Sequence, residues 1–262
     1  MKTIVISSNK GGSNKTTTAL ALADVLCELS YNTLFMDLDL QCNSTDVYKA
    51  KIKDEYTIFD VILAEEKTDI NKAIQHNEVK GVRKDIIAGD PLVKKSDVIL
   101  NTDSIGGAYR LRTAIKTLEQ DKYDFLIIDT SPAINPILYN ALIIADYVIT
   151  PVTADRFSIA GISNLSSVFS QIKEVNDKFS YLGILMTKYH NNRTLDKAVL
   201  NSLITTADNM GTRVFDTKIR ECDKVRQAQS LRKPLYEYAR NCTSARDYWN
   251  FTEELLNIIG DK

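Results

Sequence analysis

Short runs rich in β-branched and aromatic residues alternate with longer segments of helical periodicity along the chain, and this alternation restricts the fold more than any other feature. The spacing predicts strands over Lys2 to Ser7, Thr33 to Asp37, Lys84 to Ala88, Phe125 to Asp129, Tyr147 to Pro151, Tyr181 to Thr187 and Thr212 to Phe215. Runs such as Phe125-Leu126-Ile127-Ile128 and Tyr147-Val148-Ile149 are apolar at every position, as in parallel strands covered by helices on both faces. Between strands, Leu22, Leu26 and Leu29 recur at helical spacing across Thr16 to Leu29. The pattern predicts an α/β fold, a doubly wound, mostly parallel sheet with helices on both faces. Only five prolines occur, and neither a Gly/Ser-rich linker nor a fixed repeat interrupts the alternation, so residues 1–262 read as one domain.

Composition narrows the chemistry. The chain is 44% hydrophobic and 26% charged, ordinary for a globular protein and unlike disordered, collagen-like or membrane-spanning chains. Cys27, Cys42, Cys222 and Cys242 match neither a zinc-ligand pattern nor a paired redox motif, and only His76 and His190 offer imidazole, so zinc and haem chemistry are not expected and the cysteines read as reduced thiols. The apolar run at residues 3–6 stops well short of a signal-peptide core, and no stretch approaches the ~20 apolar residues of a membrane helix. A cytoplasmic chain with no membrane partner is the expectation. Net charge is -1, so attraction to nucleic acid has to come from a local patch.

The first strand runs into Lys10-Gly11-Gly12-Ser13-Asn14-Lys15-Thr16-Thr17 at the start of the first helix, where a doubly wound sheet binds phosphate. Glycines let successive N–H groups turn inward, the helix N-terminus adds positive potential, Lys15 can reach terminal phosphate oxygens, and Thr16 offers a hydroxyl to Mg²⁺. Asn9 and Asn14 occupy both outer glycine positions of the general phosphate-loop pattern. Asn is the side chain that best tolerates positive φ, at a cost on the order of 1 kcal/mol, though at residue 14 it would crowd the phosphates. Asp37, Asp39 and Asp129 close apolar strands, where a carboxylate is costly to bury unless a cation or hydrogen bonds compensate it.

The block Lys10 to Thr17 closely resembles the deviant Walker A motif of the ParA/MinD family of P-loop ATPases. Asp37 to Thr45 is similar to that family's switch segment, with Leu40 for proline and Cys42 for glycine, and Asp124 to Pro132 is similar to its Walker B strand. The resemblance continues through Ala145 to Val152 and into a closing helix around Tyr248 to Leu256. It implies an ATP and Mg²⁺ site in which Gly11, Gly12, Ser13, Asn14, Lys15, Thr16 and Thr17 hold phosphate, and Thr16, Asp37 and Asp129 serve the metal. It further implies that Lys10 reaches a partner subunit's ATP across a nucleotide-sandwiched homodimer, that Asp39 orients or activates the attacking water, and that Ile219, Arg220 and Cys222 fall near the adenine.

From Lys188 to Arg240 there are 11 Lys+Arg against 6 Asp+Glu, a net of +5, which leaves -6 for the remainder. By resemblance to the partitioning branch, Arg193 and Lys224, with Arg226, Arg232 and Lys233 nearby, would contact nonspecific DNA. Each could equally be a solvated helix face. The leading expectation is a nucleoid-associated, ParA-type partitioning ATPase, released from DNA when a ParB-like centromere-binding partner stimulates hydrolysis. A MinD-like membrane ATPase, a metal-cluster scaffold or reductase, and a slow nucleotide-sensing interaction protein are the alternatives. The closing helix carries Glu253, Glu254 and Asp261 beside its apolar stripe, which anionic headgroups would repel, so it is expected to dock on the core.

Overall fold

In the first strand, Ile4 and Ile6 face one layer of the core and Val5 the other, and all three are fully buried. The same division runs through Leu34, Phe35 and Met36 and through Ile127 and Ile128, which is why these strands carry no polar alternation. The computed structural model describes residues 1–63, 69–103, 107–154 and 156–261. In chain order its elements are β1 (Lys2–Ile6), α1 (Lys15–Glu28), β2 (Thr33–Leu38), α2 (Asn43–Tyr48), α3 (Ile58–Leu63), β3 (Ile74–Gln75), β4 (Glu78–Val79) and β5 (Val82–Ile87). There follow α4 (Val93–Thr102), α5 (Arg110–Ala114), β6 (Phe125–Thr130), α6 (Pro136–Ile143), β7 (Tyr147–Thr153), α7 (Arg156–Val175) and β8 (Ser180–Tyr189). The last are α8 (Thr194–Asn209), β9 (Ile219–Arg220), α9 (Asp223–Ser230), α10 (Leu235–Ala239) and α11 (Thr243–Ile259).

The sheet order is β3-β5-β2-β6-β1-β7-β8-β9, with β4 also on β5, and every pairing is parallel except those of β3 and β4 with β5. Helices α1, α9, α10 and α11 contribute to the core on one face and α3 to α8 to that on the other, the doubly wound arrangement expected. Closing helix α11 docks on α1: Tyr248, Phe251 and Leu255 are fully buried, and the Tyr248 hydroxyl lies 3.2 Å from Thr18 Oγ1. Its apolar stripe is therefore spent on the core, and among the described residues no helix is long and apolar enough to cross a membrane.

The expected strand at Thr212 to Phe215 is a correction. That segment makes only an isolated bridge between Val214 and Ile184, because the next two amides, of Asp216 and Thr217, turn to the Glu254 carboxylate at 2.6 and 2.8 Å. The edge of the sheet passes instead to β9, which pairs with β8 through Ile219 and Arg220.

Candidate functional site

Strand β1 lies between β6 and β7, so the chain leaves it where the strand order reverses, and residues 7–14 wrap over the C-terminal edge of the sheet before α1 begins. Gly12 (φ 75°) and Asn14 (φ 66°) take left-handed backbone, so the Asn that replaces a motif glycine does sit where positive φ is required. The loop is braced from β8: Thr187 Oγ1 lies 3.1 Å from the Ser13 carbonyl, and the Lys188 ammonium donates to the Gly12 carbonyl at 3.0 Å. Within it the Lys15 ammonium donates to the Lys10 carbonyl at 3.0 Å and the Ser13 hydroxyl donates to the same oxygen at 3.2 Å. Lys15 is buried, and that burial lowers its pKa against the opposing pull of the Asp129 and Asp39 carboxylates.

Strand register sets the acidic side. Asp37 on β2 and Asp129 on β6 are direct partners across the parallel pair, and Ile6 of β1 pairs with Asp129 on its other side. Asp37 accepts from the Thr45 amide at 2.9 Å, the Thr45 hydroxyl at 2.8 Å and the Asp39 amide at 3.1 Å. Its backbone and carboxylate are approached closely by Gly89, where an added Cβ would sit 3.0 Å from Asp37 Cγ. Asp129 accepts from Ser44 Oγ at 3.0 Å, but its Oδ1 is buried with no partner among the described residues. Desolvation first, then repulsion from Asp39 on Asp37 and from Asp37 and Asp39 on Asp129, raises the pKa of both carboxyls above the usual carboxylate range. Asp39 stands forward of them and accepts from the Gln41 amide at 3.0 Å.

Between these two sides opens a cleft of about 670 Å³. Gly11, Gly12, Asn14, Lys15, Thr16 and Thr17 form its floor, Asp39 to Gln41 and Ser131 to Ala133 flank it, and Asp46, Gln229 and Arg232 stand at its far wall. Thus the structure brings the phosphate-loop residues and Asp39 into one cavity, with Ser13 buried in the loop's interior and Asp37 and Asp129 fully buried. Asp37 already has three hydrogen bonds; Asp129, with an orphan oxygen, is the one of the two that could hold a cation. Lys10 is not in the lining of its own chain's cleft.

Four other residues lie elsewhere than expected. Ile219, Arg220 and Cys222 do not line the cleft: Ile219 is buried at the sheet edge, Arg220 is committed to Asp247 at 2.6 Å, and Cys222 precedes α9 as its N-cap. Arg232 lines the cleft, 3.3 Å from Asp46, rather than standing with the outward-facing cations. Of those, Arg193 precedes α8, Lys224 donates to Gln227 Oε1 at 3.0 Å, Arg226 pairs with Asp223, and Lys233 pairs with Glu237 at 3.4 Å. The Arg193 loop is tied toward α9 by His190, whose Nε2 lies 3.0 Å from Glu221. Sequence reasoning missed Gln229, whose amide donates to Thr17 Oγ1 at 2.7 Å across 212 positions, and no local pattern announces such a contact. Ser44 and Thr45 were within reach of sequence, because they close the segment that resembles the switch.

A family model described as an AAA domain matches residues 1–181. The chromosome partitioning protein ParA of Caulobacter vibrioides is 26% identical over 265 residues, covering 100% of this chain and 96% of that protein. A ParA family protein of Chlamydia muridarum is 30% identical over 264 residues, with 100% of both covered. Among solved structures, a putative plasmid partition protein of Borrelia burgdorferi bound to AMPPNP is similar at 26% identity and a TM-score of 0.76, covering 98% of each chain. The ATP complex of a Cyanothece McdA variant shares the fold, with a TM-score of 0.83 at 22% identity over 100% of this chain and 97% of that one. The strand-end loop and facing carboxylates thus sit in a chain whose likeness to its relatives runs from end to end, and the chain belongs to the ParA family.

Proposed function

We propose that this chain is a partitioning-type ATPase that binds Mg-ATP in the cleft, dimerises on it, holds nonspecific DNA in that state, and lets go when a ParB-like centromere-binding partner stimulates hydrolysis. The observation that carries the reading is the buried Asp37 and Asp129 pair beside Lys15, with one Asp129 oxygen unpartnered among the described residues. Two facing carboxylates cost too much to bury for packing alone, and a divalent cation relieves that cost. Bound Mg²⁺ would be held by the Thr16 hydroxyl and Asp129, with Asp37 in support, and would neutralise phosphate charge.

The remaining work falls to the chain's own side-chain and backbone groups. Lys15 and the loop amides bind and orient the phosphates, and Asp39, forward in the cleft, accepts a hydrogen bond from water and takes its proton as it attacks. Lys10, outside its own cleft, serves the partner's nucleotide. Turnover is slow, because Asn14 puts a side chain where the phosphates bind. The test is retention of the purified protein on nonspecific duplex DNA with ATP, with ADP and with neither, at low and moderate salt. Salt-sensitive retention only with ATP is the expected result; retention indifferent to nucleotide would sink the switch.

A further inference from the structure

The far wall of the cleft holds an ion pair between elements distant in sequence. Asp46, on α2, and Arg232, just past the C-terminal end of α9, meet at 3.3 Å, and both side chains line the cavity that holds Lys15 and Thr16. The side chains are 41% and 70% exposed, so water competes with the pair and the pair alone contributes little to stability.

Arg232 also holds backbone at φ 51°, a conformation that costs an L-residue and is free to glycine. The turn that imposes it is fixed by main-chain bonds, from the Arg232 amide to Gln229 O and from the Lys233 amide to Ala228 O, each 3.0 Å. The fold therefore asks for glycine at this position, and the guanidinium is kept at a backbone cost the ion pair does not repay. Gln229, in the same turn, anchors the α9 terminus to Thr17 at the first turn of α1, which holds Arg232 at the mouth of the phosphate loop.

Charge supplies the reason. Asp39 and Asp46 line the cleft and Asp37 and Asp129 lie behind it, so an entering polyphosphate meets carboxylates on one side and needs cations. A guanidinium binds phosphate oxygens through two parallel N–H donors, a better match than one exposed carboxylate contact. We propose that Arg232 is a phosphate ligand of the cleft held in reserve by Asp46: when a nucleoside polyphosphate enters, the guanidinium exchanges Asp46 for phosphate. The exchange releases α2 from α9 and fastens α9, which carries Lys224 and Arg226, to the nucleotide. This rests on the reading that the cleft takes a nucleotide.

The experiment is calorimetric titration of the full chain with ATP and Mg²⁺, for wild type, Asp46→Asn, Arg232→Gly and the double variant, with melting curves to establish that each is folded. Arg232→Gly suits the backbone there, so loss of fold is not the expected outcome. The exchange requires opposite signs: Asp46→Asn should tighten ATP binding roughly 3-fold, and Arg232→Gly should weaken it roughly 10-fold. The double variant should match Arg232→Gly, since Asp46 acts through Arg232. Shifts of the same sign, or an Arg232→Gly affinity equal to wild type, would overturn the exchange and leave the nucleotide site standing. Failure of wild type to bind ATP would overturn the nucleotide reading itself, and this inference with it.

Discussion

Asp37 and Asp129 face each other directly across two parallel strands, both with no exposed surface, and only Asp37 has all its close donors supplied by the protein. Their raised pKa values carry a definite sign. A carboxyl whose folded pKa lies above its unfolded value adds stability below the unfolded pKa and loses it as pH rises through the folded one. The metal-free protein should therefore become less stable from about pH 4 upward into the neutral range. Asp129→Asn, neutral at every pH, should exceed wild type in urea melts near pH 8, with the gap closing near pH 5. Stability of wild type that is flat across that interval would remove the buried pair as its cause. Mg-ATP should stabilise wild type more at the alkaline end, and Asp129→Asn should gain nothing from the metal.

Asn9 and Gly161 meet where α7 crosses the phosphate loop, and a Cβ added at Gly161 would run into Asn9 Oδ1. Glycine inside a helix normally costs about 1 kcal/mol relative to alanine. In wild type, Gly161→Ala should fail to recover that energy, because Asn9 has to leave its place. In an Asn9→Ala background the same change should stabilise the protein by about 1 kcal/mol in urea melts, a coupling readable from the double-mutant cycle. Equal effects in both backgrounds would mean that the contact does not restrain the loop.

Three single variants separate the parts of the proposed site. Lys15→Ala should abolish ATP binding in a titration, since it removes the buried cation of the loop. Lys10→Ala should keep nucleotide affinity yet lose the ATP-dependent dimer in sedimentation, if its side chain serves the partner's nucleotide as proposed. Asp39→Ala should bind ATP and dimerise without releasing phosphate. A persistent dimer in Lys10→Ala, or turnover at the wild-type rate in Asp39→Ala, would remove that residue from its assigned role.

The parts of this molecule that sequence displays are those built from consecutive residues. The strand, glycine turn and helix from Lys2 to Glu28 follow one another, and the acids at the ends of β2 and β6 stand out because the runs before them are apolar. Asn14 could be read as well, since a residue replacing glycine at a turn invites the question of positive φ, and it has it. By contrast, β3 and β4 are two residues long, one apolar and one polar residue each, and are held by pairing with β5, so no alternation betrays them. Thr212 to Phe215 failed for the opposite reason: its composition suits a strand, yet Glu254, far along the chain, captures the next amides. Arg232 counts toward a basic segment in sequence, but charge does not tell which face of a turn a side chain takes, and here it takes the cleft.

Among the outward cations, the unequal pairing predicts unequal contributions to DNA retention. Arg226 is bound to Asp223 and Lys233 lies 3.4 Å from Glu237, so phosphate has to displace a carboxylate at each. Lys224 leans on neutral groups, the Gln227 side chain at 3.0 Å and the Tyr238 ring at 5.7 Å, and can turn to phosphate without breaking an ion pair of its own. Lys224→Ala should therefore weaken ATP-dependent DNA retention more than Arg226→Ala or Lys233→Ala. It should also lower the slope of log affinity against log salt by roughly one for each phosphate left without its cation. Arg193→Ala should act in the same direction, because His190 and Glu221 tie its loop toward the start of α9. Asp223→Ala offers the converse, since freeing Arg226 should strengthen retention. If all five variants bind DNA with wild-type affinity and salt slope, this face is a solvated surface and the DNA contact has to be sought elsewhere on the dimer.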